Sequence, residues 1–134
     1  MTPLSTESEA VVQRQLEAYN ARDVEAILDC YAEDAQQFEH PSKLLATGKT
    51  EMRARFAARF SEPNLHALLL KRIVLGAFVI DHERITRTFP EGPGTLELVA
   101  MYEVRAGQIA KAWFISGEKV LDQNAKNEGI ASAR

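Results

Sequence analysis

Apolar residues recur at helical spacing in the first part of the chain and alternate with polar ones later, so a helical start gives way to a strand-rich remainder. Thr6-Glu7-Ser8-Glu9 has capping-box spacing, and Val12, Leu16 and Tyr19 follow on one face, which predicts a first helix. Asp23 is placed to cap a second helix with an apolar stripe of Val24, Ile27, Leu28 and Tyr31, and the Asn20-Ala21-Arg22 link folds the two into a hairpin. The chain then enters a strand, Gln36 to His40, which Pro41 ends. Met52, Phe56 and Phe60, spaced by one helical turn, predict a third helix over Thr50 to Phe60. Four strands follow: Leu65 to Leu75, Phe78 to Phe89, Thr95 to Arg105 and Gln108 to Val120. Short glycine-bearing links such as Gly76-Ala77 and Ala106-Gly107 make them antiparallel neighbours. The tail from Asp122 to Arg134 is polar and alanine-rich and reads as a loose terminus or a short surface helix.

This order predicts an α+β fold, a strongly bent antiparallel sheet packed on the N-terminal helices as a cone with an internal cavity. A chain of 134 residues, 46% hydrophobic, fits one domain over 1–134 with its core at about 8–121. The net charge of −3, from 16 basic and 19 acidic residues that intermingle, offers no field for nucleic acid. No apolar run approaches the ~20 residues of a membrane span, and Met1 to Ser5 lacks the pattern of a signal peptide, so the expected compartment is the cytoplasm. The single cysteine, Cys30, rules out an intrachain disulfide and reads as a small buried hydrophobe.

The helical hairpin, its Tyr31-Ala32-Glu33-Asp34-Ala35 exit, Gly48 before the third helix and the Gly107-Gln108-Ile109 hairpin together resemble the nuclear transport factor 2-like superfamily. That group includes ketosteroid isomerase and the SnoaL-type polyketide cyclases. Val79-Ile80-Asp81-His82-Glu83 and Ala110-Lys111-Ala112-Trp113-Phe114-Ile115 are similar to a bacterial branch labelled steroid isomerase-like. The resemblance implies a cavity for a small apolar molecule, a homodimer paired through the sheet, and no cofactor. In ketosteroid isomerase an aspartate base works with a tyrosine and a protonated aspartic acid that donate to the developing oxyanion. Aligned through Asp23 and Ala35, the base falls at Glu39, or at His40 if Pro41 is matched; the tyrosine falls at Gln15 and the second acid near Ala100. Both oxyanion donors are thus replaced.

Strand alternation allows only one of Glu39 and His40 into the cavity, and the apolar companion Phe38 favours His40, with a bulge near Pro41 reversing the choice. By the same argument His82 shares the face of Phe78 and Ile80 and is directed inward, where it could pair with His40 or a substrate carbonyl. The catalytic candidates are therefore His40, Glu39 and His82, the histidines suited to taking and returning a proton near neutrality. Tyr19 and Tyr102 are candidate donors to a ligand oxygen, Phe38 and Trp113 candidate walls, and Asp81 a candidate contact, although Asp81 and Glu83, on the face opposite His82, could instead form cross-strand pairs with Arg72, Lys111 or a second subunit. Three scattered histidines lack ligand spacing, so no metal is expected. The sequence favours an isomerase or cyclase acting on a carbonyl compound by proton transfer, with a non-catalytic binding or dimerisation module of the same fold as the alternative.

Overall fold

The computed structural model describes residues 3–122, and the expected tail, apart from Asp122, lies outside them. Helix α1 (Leu4–Ala21) ends at Arg22, whose left-handed backbone, φ 55°, turns the chain into α2 (Val24–Asp29). Asp23 caps α2 as the sequence implied, its Oδ1 accepting the Ala26 N–H at 3.0 Å. The capping box does not form: α1 starts at Leu4 behind Pro3, which puts Thr6 inside the helix. Glu9 instead reaches toward Arg72, 3.8 Å away.

The largest difference from the sequence reading is at Tyr31. The stretch expected to leave the second helix is already strand β1 (Tyr31–Glu39), and it returns through a second, unexpected strand, β2 (Lys43–Thr47), into α3 (Gly48–Phe60). The stripe residue Tyr31 is buried from the strand, so its apolar character served two elements equally well. Strands β3 (His66–Leu75), β4 (Phe78–Phe89), β5 (Gly92–Arg105) and β6 (Gln108–Ser116) complete the main sheet, and the expected end of the last strand is a separate β7 (Val120–Leu121) paired to β5.

Six of the seven strands run in the order β2-β1-β6-β5-β4-β3, with β7 beside β5 off this path, and the sheet is strongly curved and unclosed with the helices on the concave side. All pairs are antiparallel except β1 with β6, which carries the N-terminal unit into the middle of the sheet. Asn20 fastens the hairpin to β3 by bracketing Ala67: it donates to the carbonyl at 2.9 Å and accepts from the amide at 2.8 Å. Arg22 does the same for the preceding turn, donating to the carbonyls of Pro63 and Leu65.

Two apolar clusters fill the concave side. The larger gathers Val12, Ile27, Leu28, Tyr31, Met52, Val79 and Ile109, and the smaller holds Leu16, Leu65, Ala67 and Ile85. They do not merge. A cavity lies between them, bounded by Tyr31 and Phe56 of one and Leu16, Ala67 and Ile85 of the other.

Candidate functional site

The cavity has a volume of about 550 Å³, enough for a ligand of drug size. Helix α1 supplies Gln15, Leu16 and Tyr19; α3 supplies Arg55, Phe56, Ala58 and Arg59; the sheet contributes Tyr31, Gln37, Glu39, Glu83, Leu98, Tyr102 and Phe114 among others. Alternation explains the set on β4, where Val79, Asp81, Glu83 and Ile85 all face inward. Opposite them on β5 stand Tyr102, Ala100, Leu98 and Leu96 in register.

Asp81 and Glu83 share this face but differ in their partners. Asp81 is fully buried and accepts both arms of the Arg72 guanidinium, at 2.7 and 2.9 Å. The third side of Arg72 goes to Gln13 Oε1 at 2.9 Å, so this ion pair is satisfied. Glu83, only 5% exposed, has no cation of its own among the described residues. Burial first, then the Asp81 charge, push its carboxyl up from 4.5 to about 7, with Arg72 opposing. Around it stand three tyrosines whose hydroxyls its charge influences. Burial raises Tyr19 to about 12 and raises Tyr102 and Tyr31 further, so all three remain proton donors at neutral pH. Gln37 accepts from Arg55 Nε at 3.3 Å, and Tyr19 and Tyr102 make no hydrogen bond through their hydroxyls among the described residues.

The sequence-derived candidates separate cleanly. Tyr19, Glu39 and Tyr102 line the cavity, with Glu39 exposed at its mouth and 3.8 Å from Lys43. His40, His82, Phe38, Trp113 and Asp81 do not line it. Phe38 lies on the outer face of the sheet, stacked on Trp113 with ring centroids 5.9 Å apart, and its apolar character was no guide to the cavity. His40, two residues on, is exposed, and its backbone N–H donates to the Phe114 carbonyl. His82 likewise points outward, bonding Glu97 through Nε2 at 2.6 Å. Asp81 turns inward but is occupied by Arg72, the cross-strand alternative that the sequence had left open.

Glu83 is the residue sequence reasoning passed over, and a signal for it was available. Counting back from the Gly76-Ala77 turn pairs Arg72 with Asp81, which puts Asp81 on the face of an ion pair and Glu83 beside it without a partner. At the positions matched to ketosteroid isomerase's donors, Gln15 lines the cavity, and Ala100 is buried directly opposite Asp81. Among the described residues no cluster of three or more His, Cys, Asp or Glu side chains could hold a metal, and no helix is long and apolar enough to cross a membrane.

A curved sheet closing over a helical hairpin, with a cavity at its centre, defines the nuclear transport factor 2-like class of folds. Within it, the model of the SnoaL-like domain matches residues 12–112, and the chain belongs to that family. No curated protein matches it. Among solved structures it is similar to an uncharacterized cystatin fold protein from Novosphingobium aromaticivorans, at 24% identity and a TM-score of 0.74 over 81% of this chain and 97% of that one. It is also similar to a hypothetical protein with a ketosteroid isomerase-like fold from Catenulispora acidiphila, solved in complex with trimethylamine, at 16% identity and a TM-score of 0.67 over 78% of this chain and 82% of that one. At these identities the likeness concerns the fold.

Proposed function

We propose that the chain is an enzyme that binds a small, mainly apolar carbonyl compound in its cavity and moves a proton on it, with Glu83 as the proton carrier. The observation that carries this reading is an unpaired, buried carboxyl raised to about 7, in a cavity that also presents the Tyr19 and Tyr102 hydroxyls. A carboxylate of that basicity is half ionised near neutral pH and is suited both to accept and to return a proton. It would take the proton from the carbon next to the carbonyl, and a tyrosine hydroxyl would donate to the oxygen on which negative charge develops. Return of the proton at another carbon gives isomerisation; attack of the enolate on a second carbonyl gives cyclisation. Glu39 at the mouth is the second candidate for this role.

The test is a thermal-shift screen of enolisable ketones, followed by proton-deuterium exchange of the hits in heavy water. Glu83→Gln, Glu39→Gln and His40→Ala are compared with the parent. The reading expects Glu83→Gln alone to keep binding and lose exchange by at least about a hundredfold, the usual share of general acid-base catalysis. Binding without exchange in the parent refutes proton transfer and leaves a binding module.

A homodimer through the sheet belongs to the same proposal. Cross-strand register lines up Ile73, Ile80, Met101, Trp113, Phe38 and Leu44 as one row over the outer face of six strands. Ile73 and Leu44 are each 51% exposed, and Leu75 and Phe78 extend the apolar surface at one corner. A second copy covering this row would leave both cavities accessible on the opposite side.

A further inference from the structure

The mouth of the cavity carries a charge that the proton-transfer reading does not use. Arg55 and Arg59 lie one helical turn apart on α3, and both line the cavity. Other arginines of the chain have found carboxylates: Arg53 pairs with Glu25, Arg72 with Asp81 and Arg105 with Asp34. Arg55 and Arg59 form no ion pair among the described residues; Arg55 donates only to the neutral Gln37 Oε1, at 3.3 Å.

From β4, Arg87 joins them on the same side as Glu83 and Ile85. Its Nε is buried with no hydrogen-bond partner, and its guanidinium lies 4.8 Å above the Phe89 ring. Burial first, then the charge of Arg59, hold down the basicity of both Arg55 and Arg87, as expected of partly buried cations near one another. Two carboxylates stand near the group. Glu62 is engaged by the Thr88 and Asn64 amides, and Glu39 lies beside Lys43. Arg55 and Arg59 at the cavity, with Arg87 on the neighbouring strand, thus offer guanidinium groups that pair with no carboxylate among the described residues and are free to meet an anion.

We infer that the ligand of this cavity carries a carboxylate, held at the mouth by Arg59 and Arg55 with Arg87 behind them, while its carbonyl end reaches toward Glu83. Arginine suits the task because its planar fork matches a carboxylate with two parallel N–H donors. The separation of charge also orients the molecule: its anionic end is drawn to the arginines and kept away from Glu83, so the carbonyl is the end that goes deep. This assignment rests on the proposed carbonyl ligand and names its class, an apolar oxo acid.

The experiment compares naphthoylpropionate, which joins an aryl ketone to a carboxylate, with its methyl ester, by calorimetric titration of the full chain near neutral pH. The acid is expected to bind at least about tenfold more tightly than the ester, as charge-assisted bonds to a guanidinium imply. That preference is expected to shrink in Arg59→Gln, to vanish in Arg55→Gln/Arg59→Gln and to weaken with added salt. Equal binding of acid and ester by the parent overturns the inference while leaving the cavity's use for carbonyl compounds intact. An acid preference that survives the double substitution overturns the assignment to these arginines. Failure of both compounds to bind the parent overturns the carbonyl-cavity reading and this inference with it. The acid-ester comparison needs no variant, so a substitution that impairs folding does not blunt it.

Discussion

Replacing Glu83 with glutamine isolates the cost of placing an ionisable group in the cavity. Burial and the Asp81 charge raise the carboxyl from 4.5 to about 7, so the folded chain holds the Glu83 proton more tightly than the unfolded chain does. The sign follows from linkage: between about pH 4.5 and about pH 7 the folded state binds more protons, and stability falls as pH rises through that window. At about 1.4 kcal/mol per pH unit, the ionised carboxylate costs the fold on the order of 3 kcal/mol above about pH 7 and nothing below about pH 4.5. Glutamine keeps the shape and removes the titration. Urea unfolding of parent and variant at about pH 5 and about pH 8 measures the difference directly. The variant is expected to be the more stable protein at the higher pH, by about 1–3 kcal/mol, with a much smaller gap at the lower pH. A gap that is the same at both pH values would refute the account of Glu83 as a buried, unpaired acid.

Three further substitutions probe the buried ion pair, the β7 edge and the outer face of the sheet. Arg72→Met leaves the fully buried Asp81 without its bidentate partner and should lower stability by about 3–5 kcal/mol in the same unfolding assay. Gly94→Ala would drive a Cβ into the Val120 carbonyl and to within 2.9 Å of Leu121 Cα, so it should detach β7 and cost about 1–3 kcal/mol, read from thermal melting. Trp113→Asp, in the middle of the apolar row on the outer face, should convert a dimer to a monomer in light scattering; an unchanged mass would remove that face as the interface.

Much of the fold was legible because each signal was local. The Asp23 cap, the full extent of β4 and the turns at Gly76 and Gly107 all follow from residues within a few positions of one another. Tyr31 to Ala35 misled because an apolar tyrosine fits a helical stripe as well as a buried strand, and only pairing with β6 across the chain decides between them. The outward placement of His40, His82, Phe38 and Trp113 has a different cause. Turning Phe38 and Ile80 inward assumed that the apolar side of a strand faces the cavity, and this sheet is apolar on both sides. The inward face is the one that interrupts its apolar run with Gln37 and Glu83, both of which line the cavity. Tyr19 and Tyr102 were found because their faces were reckoned from helical and strand spacing alone.

The pH dependence of proton exchange at the carbon next to a bound ketone tests the central claim most directly. Followed by NMR in heavy water, the rate with the parent protein should rise through about pH 7 as Glu83 ionises, and Glu83→Gln should lose at least about a hundredfold of it while still binding the ketone. A profile that keeps both its height and its midpoint in Glu83→Gln would contradict the account.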